Sequence, residues 1–288
     1  MSDDSDYSAH SAHSAQSEYS DRPGERPSYR ISDDDGDQAK ERKRLSLLGD
    51  LADRRSAEQI ERLGIRAGWR CLDVGSGAGS LARWMAERVG PTGSVLSTDV
   101  DVRFQAEGAV NLEVRRHDVV KEELPVDAFD LVHARAVLQT IEQREAVLDK
   151  LVRAARPGGW LLVGDPEWAA FDLQPLPAPF RALHDAMLAM GGRSHGYDRH
   201  WASRLPSAFQ ARGLTDIDCV GTANAMHGGT DSAEWLILAY ERASPALVQA
   251  GILTAEAVQA GLQAARDPGF LALGPLSVAC WGRKPEAR

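Results

Sequence analysis

The residues best suited to chemistry form a glycine-rich turn that follows a short apolar strand. Asp73 stands near the end of that strand, and Gly75, Gly77 and Gly79 follow at alternate positions. Glycine tolerates positive φ angles and lets a ligand lie against bare backbone, because it carries no Cβ. A dinucleotide-binding turn has its third glycine one residue later, where Ser80 stands. An acid before the turn suits a ligand with an ammonium group better than a pyrophosphate; a ligand-free turn is the alternative.

Acidic residues also follow the next two predicted strands, 94–98 and 112–116. Asp99 lies about twenty residues beyond the glycine turn, where a carboxylate can accept hydrogen bonds from both hydroxyls of a ribose. Asp101 is predicted to be a solvated loop acid or a helix cap. Asp118 follows the third strand, where it either contacts a ligand or caps a helix. Together these acids indicate a ligand that contains a nucleoside, but they do not show which ligand it is.

The elements that position these residues alternate between strands and helices. Such alternation predicts a parallel sheet with helices on both faces, and right-handed crossovers place the carboxyl ends of the strands at one edge, where ligands bind. The predicted strands are 69–74, 94–98, 112–116, 129–133, 160–163, 215–220 and 277–281, and the clearest helices are 81–89 and 142–156.

The rest of the chain divides into three predicted regions. Residues 1–28 are rich in Ser, Asp and His and are predicted to be a disordered acidic tail. Residues 29–64 are predicted to be an N-terminal helical segment with a second short helix at 56–63. The main domain spans 65–288. Within it, the segment at about 167–200 interrupts the alternation at the ligand edge of the sheet, which is typical of a lid.

Charge and composition exclude several classes of function. The chain of 288 residues has a net charge of −9, of which −7 lies in residues 1–37. The nearly neutral remainder offers no electrostatic surface for nucleic acid. No apolar run is long enough to span a membrane, and no secretory signal is present, so a cytoplasmic protein is expected. Cys71, Cys219 and Cys280 are predicted to be reduced core residues.

The glycine turn and the strands around it resemble class I S-adenosylmethionine-dependent methyltransferases, and the segments 129–135 and 156–163 resemble a bacterial small-molecule branch of that family. The resemblance is strong over 68–166 and weaker over 200–283. It implies a Rossmann-like three-layer α/β sandwich with a mostly parallel seven-stranded sheet, an antiparallel last strand, N-terminal helices and a lid insertion. It also implies S-adenosylmethionine as the cofactor.

The same resemblance implies a set of cofactor contacts. Asp118 and Val119 would hold the adenine, and the backbone after the fourth strand would contact the methionine part. Arg135 would orient the cofactor carboxylate or brace the site, with a surface salt bridge as the alternative, and Tyr29 would fold over that carboxylate. The complete implied set is Tyr29, Asp73, Gly75, Ser76, Gly77, Gly79, Asp99, Val100, Asp118, Val119, His133, Ala134 and Arg135.

A base is needed if the methyl acceptor is a hydroxyl or an acidic carbon. The main candidates are His133, Asp165 and Glu167, because each stands at or just past the carboxyl end of a predicted strand. His184, His195, Tyr197 and His200 are further candidates. His195 and His200 are not at an established zinc spacing, and His133 stands where metal-dependent catechol methyltransferases have an aspartate. No metal is therefore predicted.

The expected acceptor is a small, apolar or aromatic metabolite that is methylated at O, N or C. DNA methyltransferases that act on the amino group of a base have Asn or Asp followed by Pro-Pro and an aromatic residue after the fourth strand. This chain lacks that motif at the corresponding position. Two alternatives stay open. One is an NAD-dependent oxidoreductase, and the other is a methyltransferase fold that binds the cofactor as a cyclase, an isomerase or a regulator. Monomer and homodimer also both stay open.

Overall fold

A computed structural model describes residues 34–105, 109–194 and 196–286. The predicted disordered tail and Tyr29 lie outside the described residues. The strands are β1 Arg70–Val74, β2 Ser94–Asp99, β3 Leu112–Arg116, β4 Phe129–Arg135, β5 Ala155–Glu167, β6 Thr215–Thr222, β7 Ala225–His227, β8 Leu271–Leu273 and β9 Leu276–Arg283. The α-helices are α1 Asp35–Arg62, α2 Ser80–Val89, α3 Arg144–Ala154, α4 Ala169–Asp172, α5 Ala178–Ser194, α6 Leu205–Ala211, α7 Asp231–Gln249 and α8 Ala255–Arg266.

Seven strands form one sheet in the order β3-β2-β1-β4-β5-β9-β6. Strands β1 to β5 pair in parallel, and β9 runs antiparallel to both β5 and β6. This topology confirms the predicted mostly parallel seven-stranded sheet with an antiparallel last strand. The carboxyl ends of β1, β2, β4 and β5 therefore meet at one edge of the sheet.

Strand β5 is much longer than the predicted strand at 160–163. It pairs with β9 from Trp160 opposite Arg283 to Glu167 opposite Leu276. The antiparallel partner supplies hydrogen bonds well past Val163, so the strand continues beyond the end of its short apolar run. This extension carries Asp165 to the ligand edge of the sheet.

Helix α1 is one continuous helix, whereas the sequence predicted two. The Asp34 side chain caps it by accepting hydrogen bonds from the amides of Gly36 and Asp37. Ser56, the predicted start of the second helix, instead lies mid-helix with its hydroxyl bound to a side chain of β4. Helix α1 packs against both α2 and α7, so it connects the sheet to the helices beyond it.

The segment at 167–200 packs with α7, α8 and the antiparallel strand pair β7–β8 around a hydrophobic core of its own, which includes Phe171, Phe180 and Leu262. We call this unit the cap; it consists of residues 167–200 and 223–273. A Cβ on Gly261 of α8 would lie 2.7 Å from the Leu183 Cβ, so glycine is needed there for the close approach of α5. The sequence predicted neither the β7–β8 pair nor the packing of this segment against α7 and α8. The function of the segment as a lid stays a prediction.

None of the helices in the described parts of the chain is both long and apolar enough to cross a bilayer.

Cys71 and Cys280 are buried free thiols, as predicted, but Cys219 is exposed on the edge strand β6. The prediction of a core position for Cys219 was wrong, because an apolar strand at the edge of a sheet is covered less than a central one.

Candidate active site

A cavity of about 880 Å³ lies at the carboxyl edge of the sheet, between the glycine turn, α1 and the cap. Gly75, Gly77, Asp99 and Asp118 line its sheet side, and residues of α5 and α7 line its cap side. Ligand pockets usually measure about 300–1,000 Å³, so this one is at the large end of the range. The volume suits a nucleoside cofactor with a second molecule beside it.

The glycine turn adopts the left-handed conformation that favours glycine. Gly75, Gly77 and Gly79 have φ angles of 68°, 57° and 72°. A Cβ on Gly75 would lie 2.2 Å from Cγ2 of Val137, and one on Gly77 would lie 3.3 Å from Cδ2 of Leu45 on α1. The turn is thus held tightly between the end of β4 and the N-terminal helix, and bare backbone faces the cavity.

Asp99 and Asp101 have different environments. The Asp99 carboxylate accepts hydrogen bonds from the amides of Gly77, at 2.9 Å, and Asp101, at 3.0 Å. Burial raises the pKa of Asp99, and these amides offset part of the rise. A carboxylate has about four acceptor sites, so acceptor positions remain for a ligand. Asp101 pairs with Arg103 at 2.7 Å and caps the short turn that follows, in agreement with the predicted capping role.

The residues after β2 and β3 also reach the cavity. Val100, Asp118 and Val119 all line it. The Asp118 carboxylate accepts a hydrogen bond from the Val120 amide at 3.0 Å within a turn, and no helix begins there, so the helix-capping alternative does not hold. This bond uses one acceptor position of the carboxylate, so others remain for a ligand.

Ser76 and Gly79 lie behind the cavity wall. The Ser76 hydroxyl bonds to the side chains of Ser97 and Gln105, both at 2.7 Å. A Cβ on Gly79 would lie 3.2 Å from the Gln105 side-chain oxygen. These contacts support the turn, and direct cofactor binding by Ser76 and Gly79 stays a prediction.

Asp73 and His133 are paired inside the fold. They lie opposite each other on β1 and β4, and the His133 Nδ1 is 2.6 Å from the Asp73 Oδ1. Each residue is only 2% exposed. Because the two buried side chains bind each other, this geometry does not favour His133 as a base or Asp73 as a direct ligand of an ammonium group. Sequence spacing does not show which face of a strand a side chain takes relative to its neighbour.

Arg135 connects the end of β4 to the N-terminal helix. Its guanidinium donates to the Asp53 carboxylate at 2.6 Å and to the Ser56 hydroxyl at 2.9 Å, and both acceptors lie on α1. The sequence left several roles open for Arg135, and these two contacts are those expected of a residue that braces the site. The preceding residue, Ala134, is 1% exposed and does not line the cavity, so its contact with the cofactor stays a prediction.

Among the three base candidates, Asp165 is the one whose side chain lines the cavity. It is 2% exposed, and no donor within the described residues meets full hydrogen-bond geometry with either carboxyl oxygen, although the backbone amides of Gln139 and Val137 lie near it. Burial raises its pKa from 3.8 to about 8, although the amides of Gln139 and Val137 and the charge of Arg144 oppose the rise. The carboxyl group is therefore mostly protonated at neutral pH in the absence of ligand.

This raised pKa predicts how the stability of the ligand-free protein depends on pH. The folded state keeps a proton that the unfolded state releases, so the free energy of unfolding should fall as the pH rises from 3.8 to about 8. The slope is at most about 1.4 kcal/mol per pH unit. Urea unfolding across this range should show a flatter profile for Asp165→Asn than for the parent protein.

Glu167→Gln is the matched control for that experiment. The pKa of Glu167 is lowered, so its contribution to stability is lost only as the pH falls through and below its ordinary value of 4.5. The slope at higher pH should therefore persist in Glu167→Gln. Parallel profiles for the parent protein and Asp165→Asn would contradict the assignment of the raised pKa.

Glu167 itself is a structural acid. One of its carboxylate oxygens accepts hydrogen bonds from His200 at 2.6 Å and from the Ala169 amide at 3.1 Å. Burial acts to raise its pKa, but these bonds outweigh it and hold the pKa below the ordinary value. Glu167 and His200 thus fix the start of α4 and the end of the 167–200 segment to each other. A catalytic role for Glu167 stays a prediction that this geometry does not favour.

Sequence reasoning missed the wall that α7 contributes. Trp235, Ala239 and Ala243 line the cavity at four-residue spacing, and Tyr240 lines it beside them. This spacing, typical of one helix face, was the available signal. Met187 and Met190 of α5 also line the cavity, whereas Phe171 and Phe180 belong to the core of the cap.

A metal centre is not evident in the parts of the chain that the structure describes, where no group of three His, Cys, Asp or Glu side chains is arranged to hold an ion. His195, one of the two loop histidines considered from the sequence, lies outside the described residues.

Comparison with known proteins places the chain. Residues 42–218, more than half of it, match a family model described as a methyltransferase domain. The chain is 34% identical over 113 residues to the ubiquinone/menaquinone biosynthesis C-methyltransferase UbiE of Ectopseudomonas mendocina (strain ymp). That match covers 36% of this chain and 44% of UbiE. The chain thus matches less than half the length of this relative.

Solved structures agree in fold. The YcgJ protein of Bacillus subtilis matches with a TM-score of 0.53 at 17% identity, covering 80% of this chain and 98% of that one. The [4+2]-cyclase SpnF matches with a TM-score of 0.51 at 17% identity, covering 82% of each chain. The family match, the strand order and the glycine turn agree: the chain belongs to the class I S-adenosylmethionine-dependent methyltransferase family.

Proposed function

We propose that this protein transfers the methyl group of S-adenosylmethionine to a small and largely apolar acceptor. The observation that supports the proposal most directly is the single cavity, because it runs from the glycine turn to the helices of the cap. A donor and an acceptor bound in one cavity can be placed in line for transfer.

The donor half of the cavity suits the cofactor. Asp99 would bind the ribose hydroxyls, and Asp118 and Val119 would bind the adenine. The bare backbone at Gly75 and Gly77 would leave room for the remaining part of the cofactor. When bound, the cofactor supplies a methyl group that is already activated on a sulfonium. The protein therefore needs mainly to orient the acceptor and to exclude water.

The acceptor half is mostly apolar. Met187 and Met190 line it from α5, and Trp235, Ala239 and Ala243 line it from α7. Methionine side chains adapt to irregular shapes, and aromatic rings supply large contact areas, so this wall suits an aromatic or aliphatic molecule. The accepting atom is O, N or C.

The cofactor is tested by thermal unfolding with S-adenosylmethionine, S-adenosylhomocysteine or NADH added separately. A ligand at about 100 times its Kd stabilises the native state by about 2.7 kcal/mol. We expect stabilisation by the two sulfur nucleosides and none by NADH. Stabilisation by NADH alone would instead support the oxidoreductase alternative.

Turnover is tested with a panel of oxygen, nitrogen and carbon nucleophiles that carry an apolar body. We expect S-adenosylhomocysteine to form with at least one of them, together with a product heavier by one methylene. Cofactor binding without turnover across the panel would contradict methyl transfer and favour a cyclase, an isomerase or a regulator.

A further inference from the structure

The acceptor half of the cavity contains one polar corner. Both carboxyl oxygens of Asp165 and the Oε1 of Gln139 are buried in the cavity wall, and no donor within the described residues meets full hydrogen-bond geometry with any of them. The amides of Gln139 and Val137 lie near the carboxyl group, but they only partly offset its burial. An unsatisfied buried acceptor costs free energy, and native proteins rarely keep several together unless something else binds them. When Asp165 is ionised, all three of these atoms are acceptors, so a partner that satisfies them must be a donor of hydrogen bonds.

Aromatic side chains line the cavity that includes this corner. Trp168, Tyr197 and Tyr240 line the same cavity as Asp165. Asp165 and Tyr197 are close enough that the Asp165 charge contributes to raising the pKa of Tyr197, whose larger cause is burial. Aromatic rings attract cations through their negatively charged faces, most strongly where water is excluded. A buried acid among such rings is typical of a site for an ammonium group.

Arg144 is the positively charged side chain that acts on Asp165, and its guanidinium is bound to other groups. The Arg144 guanidinium donates to the carbonyl oxygens of Leu138, at 3.2 Å, and Gly196, and lies 3.7 Å from the Asp198 carboxylate. Arg144 lowers the pKa of Asp165 only in part, because the net shift is upward. A cation from the ligand would therefore add a charge that the protein does not supply at this position.

We propose that the methyl acceptor is an amine, and that its ammonium group binds to Asp165 and Gln139 near the aromatic side chains of Trp168, Tyr197 and Tyr240. An ammonium nitrogen has no lone pair, so the Asp165 carboxylate takes one proton from it before transfer. The lone pair of the neutral amine then forms the bond to the methyl carbon as the bond of that carbon to sulfur breaks, and the methylated nitrogen carries the positive charge. The inference rests on the proposed function, since it names the acceptor class of the same cavity. The apolar body of the amine lies against α5 and α7. Asp165 selects for the head group, while the methionines and Trp235 accept variation in the body.

Binding of the amine is coupled to release of a proton. In the empty protein the buried carboxyl group holds a proton at neutral pH, since its pKa is about 8. The ammonium group stabilises the carboxylate, so the proton passes to the solvent as the ion pair forms. The other groups that act on Asp165 are the amides of Gln139 and Val137, the charge of Arg144 and the neutral hydroxyl of Tyr197.

The test uses three probes with the same apolar body and different head groups: 4-phenylbutylamine, 4-phenylbutanol and 4-phenylbutyrate. Binding is measured by calorimetry at pH 7 with saturating S-adenosylhomocysteine, in buffers of different ionisation enthalpy. We expect the amine to bind at least about tenfold more tightly than the alcohol and the carboxylate to bind most weakly. We expect about one proton to be released with the amine and none with the alcohol.

Two variants locate the effect. Asp165→Asn should remove the preference for the amine and the proton release while leaving the affinity for the alcohol within about twofold. Glu167→Gln should retain both, because its carboxylate is bound to His200 and lies off the cavity wall. The affinity of each variant for S-adenosylhomocysteine reports whether the fold and the donor half are intact.

Equal binding of the amine and the alcohol by the parent protein would overturn the inference, and so would preference for the carboxylate or failure of the amine to bind. These results need no variant to fold. If S-adenosylhomocysteine binds in the same experiments, the proposed function stands and only the acceptor class is wrong. If S-adenosylhomocysteine does not bind, the proposed function fails first.

Discussion

Gly75→Ala is expected to destabilise the protein by about 2–5 kcal/mol and to weaken binding of S-adenosylhomocysteine by at least about tenfold. Two costs add at this position. The φ angle of 68° is unfavourable for any residue with a Cβ, and that Cβ would lie 2.2 Å from Cγ2 of Val137. Val137 follows β4 and itself lines the cavity, so relief of the overlap must move either the glycine turn or the opposite wall.

Gly251→Ala is the matched control for this variant. Gly251 has a φ of 66°, and a Cβ there would meet no atom within 4 Å. It should cost only the backbone strain, about 1–2 kcal/mol, and leave ligand binding unchanged. Urea unfolding and calorimetry measure both effects. Equal losses in the two variants would show that backbone strain alone, and not the contact with Val137, accounts for the requirement for glycine.

Asp99→Ala is expected to weaken binding of S-adenosylhomocysteine by about 100-fold, or about 3 kcal/mol. The carboxylate would accept hydrogen bonds from both ribose hydroxyls, and it also holds the amide of Gly77 in the turn at 2.9 Å. The loss of these acceptors affects the ligand directly and through the position of Gly77. Asp99→Asn keeps one acceptor oxygen, so its effect should lie between those of the parent protein and Asp99→Ala.

Asp101→Ala controls for the loss of a nearby negative charge. Asp101 also lines the cavity, but its carboxylate pairs with Arg103 and caps the following turn. The ribose assignment predicts that this variant binds S-adenosylhomocysteine within about threefold of the parent protein. If Asp101→Ala were as damaging as Asp99→Ala, the contact with the ribose could not be assigned to Asp99.

The donor half of the site follows from local sequence. Alternate glycines after an apolar strand, and an acid at the end of the next strand, suffice to predict the turn and the place of Asp99. Their geometry depends on residues near in the chain and on the fixed handedness of strand–helix–strand units. The mostly parallel seven-stranded sheet and its antiparallel last strand followed from the family resemblance, and the structure confirms both.

The acceptor half depends on contacts between distant parts of the chain. His133, Asp165 and Glu167 all stand near the carboxyl ends of strands, and their spacing alone does not separate them. Pairing across the sheet commits His133 to Asp73, and a loop contact commits Glu167 to His200. Pairing of β5 with β9 extends β5 far enough to place Asp165 in the cavity.

The sequence by itself determined the sheet, the glycine turn and the acid that follows β2, because their signals are short and repeat with the period of the secondary structure. Only the tertiary structure decided which acid faces the acceptor and which helices enclose it. Burial and strand pairing are properties of the assembled chain, and they alone leave the oxygens of Asp165 without partners beside the rings of the cap.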